Sequence, residues 1–258
     1  MTPSLCGQEV VFSRRVYKEQ GPSYQQIWNW NPANGALQEL THSARDHYLP
    51  ECKDGRITFV SPEEGKENAK LWSFDPASGE ERLIGPAPVV HEPEAPKNGC
   101  VASGTLEACR QNEADLFLSR GGKQIGDFHI QAHDCLDEQG GNHGPCDTPI
   151  LSLEWSPDGK WLLVGGLADA HETYYSLVDV GAMMLREVAT AFPYSMIWLR
   201  GREDLLYVTP AQIGPLPGGR RQRNVWVQHL MLLNAMTGMS RSITSGLSNN
   251  EDAALCNK

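Results

Sequence analysis

The densest group of residues able to do chemistry lies between positions 129 and 149. Histidines, cysteines and carboxylates alternate there with glycines, at His129, His133, Asp134, Cys135, Asp137, Glu138, His143, Cys146 and Asp147. Imidazole, thiolate and carboxylate groups are the ligands that zinc takes in proteins. Cys135 and Cys146 are too far apart for a zinc knuckle, and oxidised cysteines cannot bind a metal. The pattern favours a disulfide-stapled surface loop without a metal, with His133, Asp137 and His143 as binding residues.

Carboxylates in the predicted inner strands are a second candidate for chemistry. Glycoside hydrolysis uses two carboxylates that face each other about 5 to 10 Å apart. Asp46, Glu154 and Asp252 are the candidates, but Asp46 and Asp252 occupy equivalent repeat positions, which also suits a structural role. Glu154 alternates with Leu153 and Trp155 as any strand residue would. We therefore assign no catalytic residue and expect a protein that is not an enzyme.

Several functional classes lack their sequence signature. The chain has no Gly-x-Ser-x-Gly elbow, no Walker loop, no Gly-x-Gly-x-x-Gly fingerprint and no Cys-x-x-Cys-His haem motif. Its net charge is −10, whereas binding to nucleic acid requires a basic face. We expect no cofactor, no metal and no nucleic-acid partner.

One dense basic cluster breaks the acidic character of the chain. Arg220, Arg221 and Arg223 follow Pro217-Gly218-Gly219, and a solvated loop is favoured there over an anion site. The loop from 210 to 224 exceeds the length that a strand connection needs, and long loops in compact domains are commonly functional. We include the three arginines among the binding residues.

A repeated phrase predicts the elements that position these groups. Asp54-Gly55 and Asp158-Gly159 each form a tight turn before an apolar strand, and Trp155-Ser156-Pro157 precedes the second turn. A later strand ends in a polar-Gly turn, as at Asp75 to Gly79. Self-similarity with a period of about 40 to 50 residues indicates an array of propeller blades.

The repeats divide the chain into one domain of five units. The units span about 1–44, 45–87, 88–146, 147–191 and 192–249, followed by a closing strand at 250–258. Unit one lacks an innermost strand, and the C-terminal segment Asn250 to Cys256 resembles Arg45 to Cys52. We predict an all-β propeller of about five four-stranded blades, closed by pairing of the N- and C-terminal segments, because closure removes exposed strand edges.

These repeats resemble the TolB-like β-propeller repeat, a relative of WD repeats. One full copy is matched by Leu40-Thr41, Asp54-Gly55, Phe59-Val60-Ser61, Leu71-Trp72 and Asp75 to Gly79. The resemblance implies a four-stranded blade for each repeat and a role as an interaction platform or a substrate-access domain. TolB itself has six blades and an N-terminal α/β domain. The chain is therefore either a five-bladed ring, or two units are merged between 85 and 150.

The seven cysteines bear on the compartment. Cys100 with Cys109 and Cys135 with Cys146 would close short polar loops, as disulfides do in secreted proteins. Cys6 with Cys256 is the preferred third bridge and would leave Cys52 odd. A bridge from Cys52 to either of them, and buried reduced cysteines, are the alternatives. The start of the chain lacks the features of a signal peptide, so the chain is either cytoplasmic or a mature form with an added methionine. The cysteines favour a periplasmic or secreted protein.

These observations converge on a binding function. We expect a non-catalytic protein-binding propeller that is an accessory or scaffold subunit of a periplasmic or extracellular assembly. The alternative is a carbohydrate-binding or glycoside-cleaving propeller with carboxylates at its central funnel. The partner would then be a glycan instead of a protein or protein complex. No stretch of the sequence is long and apolar enough to predict a transmembrane segment.

Overall fold

The computed structural model describes residues 4–6, 9–16, 21–53, 55–62, 69–88, 99–132, 144–167, 173–191, 195–213, 225–245 and 248–255. These residues form β-strands joined by turns and irregular connections. Among them is no helix of the length and apolar character that crossing a bilayer requires.

The strands form antiparallel sheets in which successive strands are neighbours. Blade 1 contains β1 (Ser4–Cys6), β2 (Glu9–Val16), β3 (Gln25–Trp30) and β4 (Leu37–Glu39). Blade 2 contains β5 (Tyr48–Lys53), β6 (Arg56–Pro62), β7 (Ala69–Asp75) and β8 (Glu80–Pro86). Blade 3 contains β9 (Cys100–Ser103), β10 (Leu106–Arg110), β11 (Asp115–Arg120) and β12 (Lys123–His129).

The remaining strands form a short ribbon, two further blades and the last strand. A short ribbon of β13 (Gln131–Ala132) and β14 (Cys146–Asp147) follows blade 3. Blade 4 contains β15 (Ile150–Trp155), β16 (Trp161–Leu167), β17 (Thr173–Asp179) and β18 (Met184–Ala191). Blade 5 contains β19 (Ile197–Trp198), β20 (Asp204–Ile213), β21 (Val225–Asn234) and β22 (Ser240–Ser242). The last strand is β23 (Ser248–Leu255).

The two ends of the chain meet in blade 1. Strand β23 pairs antiparallel with β2, from Val10 opposite Leu255 to Val16 opposite Ser248. The predicted all-β propeller, closed by its terminal segments, is thereby confirmed. One detail differs from the prediction: β1 also pairs with β2, so blade 1 has five strands instead of four.

Short side chains at the strand ends fix the repeated turns. Asn31, Asp75 and Asp179 each accept a backbone N–H two residues later, at 2.9 Å. Gly159 has φ +71°, a conformation that favours glycine, and the Ser156 hydroxyl accepts the Trp161 N–H at 2.9 Å. The polar-Gly motifs of the sequence are therefore structural turns that set the register of each blade.

Apolar side chains pack between blades in three clusters. One joins blades 1, 2 and 5 and contains Phe12, Phe59 and Leu206. A second joins blades 4 and 5 through residues such as Tyr175, and a third joins blades 3 and 4 through residues such as Leu116. No such cluster of described residues joins blade 2 to blade 3.

The faces of blades 2 and 3 explain this seam. Ile57 and Phe59 point toward blade 1, so the alternating residue Thr58 points the other way. Thr58 belongs to a row of paired polar residues that crosses blade 2. The row consists of Glu51, Thr58, Ser73 and Arg82. Ala108 points toward blade 4, and the opposite face of blade 3 carries the row Ala102, Glu107, Ser119 and Gln124. Neither row supplies a large apolar side chain to the space between blades 2 and 3.

A buried histidine connects blades 1 and 2. The His47 ring is completely inaccessible to solvent and stacks on Phe59 with ring centroids 4.3 Å apart. Its Nδ1 lies 2.9 Å from the Thr41 hydroxyl and its Nε2 lies 2.8 Å from the Ser43 hydroxyl. Burial, and secondarily the charge of Arg45, lowers the pKa of His47 to about 3. This histidine is therefore a neutral structural group.

We expect His47→Ala to lower the free energy of unfolding at neutral pH by about 2 to 4 kcal/mol, because it empties a buried site and removes hydrogen-bond partners. The unfolded chain binds a proton at position 47 below about pH 6.5, whereas the folded protein does so only near pH 3. Wild-type stability should therefore fall as the pH drops through this interval, and the variant should lack that slope. Urea titrations at several pH values measure both effects.

The control is His42→Ala, since the side chain of His42 is 72% exposed. This variant should keep wild-type stability and acid sensitivity. Equal acid sensitivity in the His47 and His42 variants would contradict the neutral buried imidazole.

Candidate functional site

The binding residues predicted from the sequence fall outside the described residues. His133, Asp137 and His143 lie in 133–143, and Arg220, Arg221 and Arg223 lie in 214–224. The two ends of the first segment are described, and they form the stem on which it is mounted. We define the stem as residues 129–132 and 144–149.

The stem is a two-stranded ribbon anchored in the protein. Gln131 pairs with Asp147 and Ala132 pairs with Cys146. Ile130, Ala132 and Thr148 are buried, and the Thr148 N–H donates to the Ile130 carbonyl at 3.0 Å. Three buried side chains therefore anchor the ribbon, whereas the side chains of Gln131 and Asp147 are exposed to solvent.

An imidazole between two carboxylates fastens this stem to blade 3. His129 Nδ1 lies 2.5 Å from Asp115 Oδ1 on β11, and His129 Nε2 lies 2.8 Å from Asp147 Oδ1 on β14. Asn112 donates to Asp115 at 2.5 Å, and Gln131 donates to Asp147 at 3.2 Å. Each carboxylate thus accepts hydrogen bonds from the histidine and from one amide.

The electrostatics of this trio favour its charged form. Hydrogen bonds to Asp115 and then to Asp147 raise the pKa of His129. The same bonds from His129 hold the pKa values of Asp115 and Asp147 below their usual range. All three side chains are solvent-accessible, so water and salt screen the interaction. The arrangement is an ion-pair bridge, with the two aspartates on opposite ring nitrogens.

One of the predicted disulfides is present in the structure. Cys100 and Cys109 are joined by a disulfide between β9 and β10, as the sequence predicted. Glu107 lies near both sulfurs in a grouping with metal-ligand spacing, but disulfide sulfurs do not act as thiolate ligands. This grouping is therefore not a metal site.

Two further cysteines are disulfide-bonded. Cys146 in the stem is bonded, and its predicted partner Cys135 lies outside the described residues. Cys52 is also bonded, so it is not the odd cysteine that the preferred pairing left over. This fits the alternative in which Cys52 is bridged to Cys6 or Cys256, and the partner of Cys52 is not among the described side chains. The side chains of Cys6 and Cys256 lie outside the described part of the chain.

The candidate carboxylates of the inner strands have different surroundings. Asp46 forms an ion pair with Arg15 at 2.9 Å and accepts hydrogen bonds from the Gln25 N–H and the Tyr48 hydroxyl. It is a structural connector, as its repeat position suggested. Asp252 lies in β23, where the side chains are not described. Glu154 remains the candidate for chemistry.

Glu154 lies on β15, the first strand of blade 4. β15 contacts β9, the first strand of blade 3, and β5, the first strand of blade 2, contacts β23. We refer to these four strands as the inner ring. Glu154 is an exposed residue, and partial desolvation by the neighbouring protein raises the pKa of its carboxyl group to about 7. At neutral pH the group is an acid that can hold or release a proton.

A second glutamate occupies the same position in blade 2. Ile57 and Leu162 each point toward the preceding blade, so the next residues, Thr58 and Leu163, are equivalent. Their partners on the inner strands are Glu51 and Glu154. Glu51 could not be recognised from the sequence, because the turns after β5 and β15 differ in length and an alignment on their Asp-Gly pairs places Glu51 one residue away from Glu154.

Comparison with solved structures finds propellers at low sequence identity. TolB from Acinetobacter baumannii is 11% identical with a TM-score of 0.32, over 98% of this chain and 56% of that chain. Puromycin hydrolase, as an S511A mutant complexed with PGG, is 14% identical with a TM-score of 0.42, over 95% and 54%. The β-propeller domain of the Trilobed protease from Pyrococcus furiosus is 15% identical with a TM-score of 0.26, over 95% and 57%.

The chain thus spans little more than half the length of these structures. No protein-family model matches the chain, and no curated protein matches it by sequence.

We expect Glu154→Gln to stabilise the protein at alkaline pH. A carboxyl group whose folded pKa is raised to about 7 stabilises the fold only while protonated, and this contribution is lost as the pH rises from about 4.5 through 7. The variant should therefore match wild type near pH 4 and exceed it near pH 8. We expect a gain of about 1 kcal/mol, since solvent access screens the charge. Denaturant titrations at both pH values measure the difference.

Glu187→Gln is the control, because Glu187 is an exposed residue of β18. It should change stability little at either pH. A Glu154 variant without a pH-dependent gain would show that the Glu154 carboxyl is not desolvated.

Proposed function

We propose that this propeller is a non-catalytic protein-binding subunit of a periplasmic or extracellular assembly, and that segments 129–149 and 210–224 make the contacts. The observation that carries the proposal is the construction of the stem. Buried anchors, a disulfide at Cys146 and the His129 bridge support a ribbon that presents polar side chains outward. Loops held by a rigid scaffold are where binding residues concentrate.

The charge of segment 129–149 suggests the chemistry of the partner surface. The segment contains the carboxylates Asp134, Asp137, Glu138 and Asp147 and no lysine or arginine. Asp115 adds a further carboxylate beside the stem. A partner with a basic face complements this surface, and complementary charge chiefly raises the association rate. His133, Asp137 and His143 are the contact residues proposed in this segment. The contact residues proposed in 210–224 are Arg220, Arg221 and Arg223.

The bonded cysteines support the compartment. Cys100–Cys109 is a disulfide, and Cys52 and Cys146 are also bonded. Disulfides form and persist in oxidising environments such as the periplasm and the cell exterior. An accessory subunit outside the cytoplasm fits this chemistry.

Site-specific photo-crosslinking tests the proposal. A benzoylphenylalanine placed at Pro145, an exposed stem residue, should form an adduct with a partner protein in cells of the native source. The yield of the adduct should fall when crosslinking is repeated in extracts of higher ionic strength, because screening reduces attraction between exposed charges. Mass spectrometry of the adduct should identify a protein with a basic surface.

The matched control places the same crosslinker at Ser78, in the exposed turn between β7 and β8. No adduct is expected there. Equal labelling at both positions, or no adduct at Pro145, would refute binding through this segment.

A carbohydrate-binding or glycoside-cleaving propeller is the second candidate function, and Glu154 is the observation that favours it. A glycosidase needs one protonated carboxylic acid beside an ionised carboxylate. Glu154, with its pKa raised to about 7, supplies a group of the first kind on the inner ring.

Assays against a glycan panel distinguish this candidate from the first. If it is correct, glycan binding or cleavage should occur, and Glu154→Gln should abolish cleavage with little change in binding. Glu187→Gln should leave both unchanged. Absence of glycan binding and cleavage across the panel would exclude this function and leave protein binding unaffected.

A further inference from the structure

The contacts of His129 require a particular protonation state. Both ring nitrogens face carboxylate oxygens, Asp115 Oδ1 at 2.5 Å and Asp147 Oδ1 at 2.8 Å. An ionised carboxylate can only accept, and a neutral imidazole carries one N–H, so both bonds exist together only in the imidazolium form. The geometry of this site is that of a protonated histidine.

The two bonds join separate parts of the molecule. Asp115 and His129 are cross-strand neighbours within blade 3, paired in register between β11 and β12. Asp147 belongs to β14, the returning strand of the stem. One bond therefore lies inside a blade, and the other connects that blade to the stem.

We propose that protonated His129 is a clasp that fastens β14 to blade 3 and releases Asp147 when its proton leaves. On deprotonation the proton passes to solvent and the remaining N–H can serve only one carboxylate. The Asp115 bond should persist, because register already places those two residues side by side and the bond is the shorter one. The Asp147 bond is then lost, and Asp147 keeps only its bond from Gln131.

The clasp is one of several bonds that hold β14, because Cys146 is also disulfide-bonded. The ladder with β13 comprises two residue pairs, and the Thr148 N–H bond to Ile130 follows directly. The charged groups acting on the imidazole are Asp115 and Asp147, one from each neighbouring element, and both raise the pKa of His129. The clasp is therefore complete in acid and opens as the pH rises through that pKa.

The consequence for the proposed binding surface is regulatory. Deprotonation of His129 would loosen the stem beside the proposed contact residues. It would also leave the Asp147 carboxylate without its imidazolium partner. This consequence rests on the proposed function, whereas the clasp does not. The experiment below uses the isolated full chain, so its failure would leave partner binding untouched, and absence of a partner would leave the clasp untouched.

Hydrogen exchange of the stem amides, corrected for intrinsic exchange rates, tests the clasp between about pH 5 and about pH 9. In wild type, exchange of the amides of residue 144 and residues 146–148 should become about two- to fivefold faster as the pH rises, the range for an exposed ion pair. Amides of β16 in blade 4 should show no such change. Stem exchange independent of pH would overturn the proposal.

Two variants separate the clasp from general stability. His129→Phe has no N–H to donate to either carboxylate, so its stem should exchange fast at all pH values. His42→Phe, at an exposed position between β4 and β5, should behave as wild type. Asp147→Asn keeps the Asp115 bond, so the stem should exchange fast and the imidazole of His129 should titrate at lower pH in NMR spectra. Identical exchange in the His129 and His42 variants, or an unshifted titration in Asp147→Asn, would refute the clasp.

Discussion

The fold depends on covering the free edge of strand β2. A sheet edge with unpaired N–H and C=O groups is costly to bury and prone to aggregate when exposed. β2 carries the buried core residues Val10, Val11 and Phe12, so an unpaired edge there would leave backbone groups without partners beside the core. Strand β23 covers it and joins the chain ends. Because β23 also contacts β5 and β21, this single pairing positions blades 1, 2 and 5 together.

The apolar contacts continue from this closure around the ring but do not complete it. They join blade 5 to blade 4 and blade 4 to blade 3, and end at the polar rows that contain Thr58 and Glu107. The ring is therefore asymmetric, with a continuous arc of apolar packing and one polar seam. The stem lies between blades 3 and 4, within the continuous arc, where buried Ile130 and Ile150 pack in the same cluster. A stem that is anchored in the core in this way suits a binding segment that must keep one orientation.

Local patterns were sufficient to predict most of the architecture. Turn motifs such as Asp158-Gly159 and the similarity of the C-terminal segment to 45–52 predict blades and closure, because each signal is contiguous in sequence. Strand β10 was missed: Glu107 interrupts its apolar pattern, and the segment was interpreted as a disulfide loop between Cys100 and Cys109. The bridge from His129 to Asp115 and Asp147 was missed as well. It depends on strand register and on a ribbon that only tertiary structure creates.

His47 and His129 show how burial, more than residue type, decides what a histidine contributes. Both contact oxygen atoms through both ring nitrogens. Around His47 the oxygens belong to hydroxyl groups, which can donate or accept, and the surrounding protein excludes water, so the neutral form prevails and its pKa falls to about 3. Around His129 the oxygens are carboxylates open to solvent, so the charged form prevails and the pKa rises. The first histidine is therefore a fixed part of the fold at any physiological pH, whereas the second can respond to pH at the surface where we place binding.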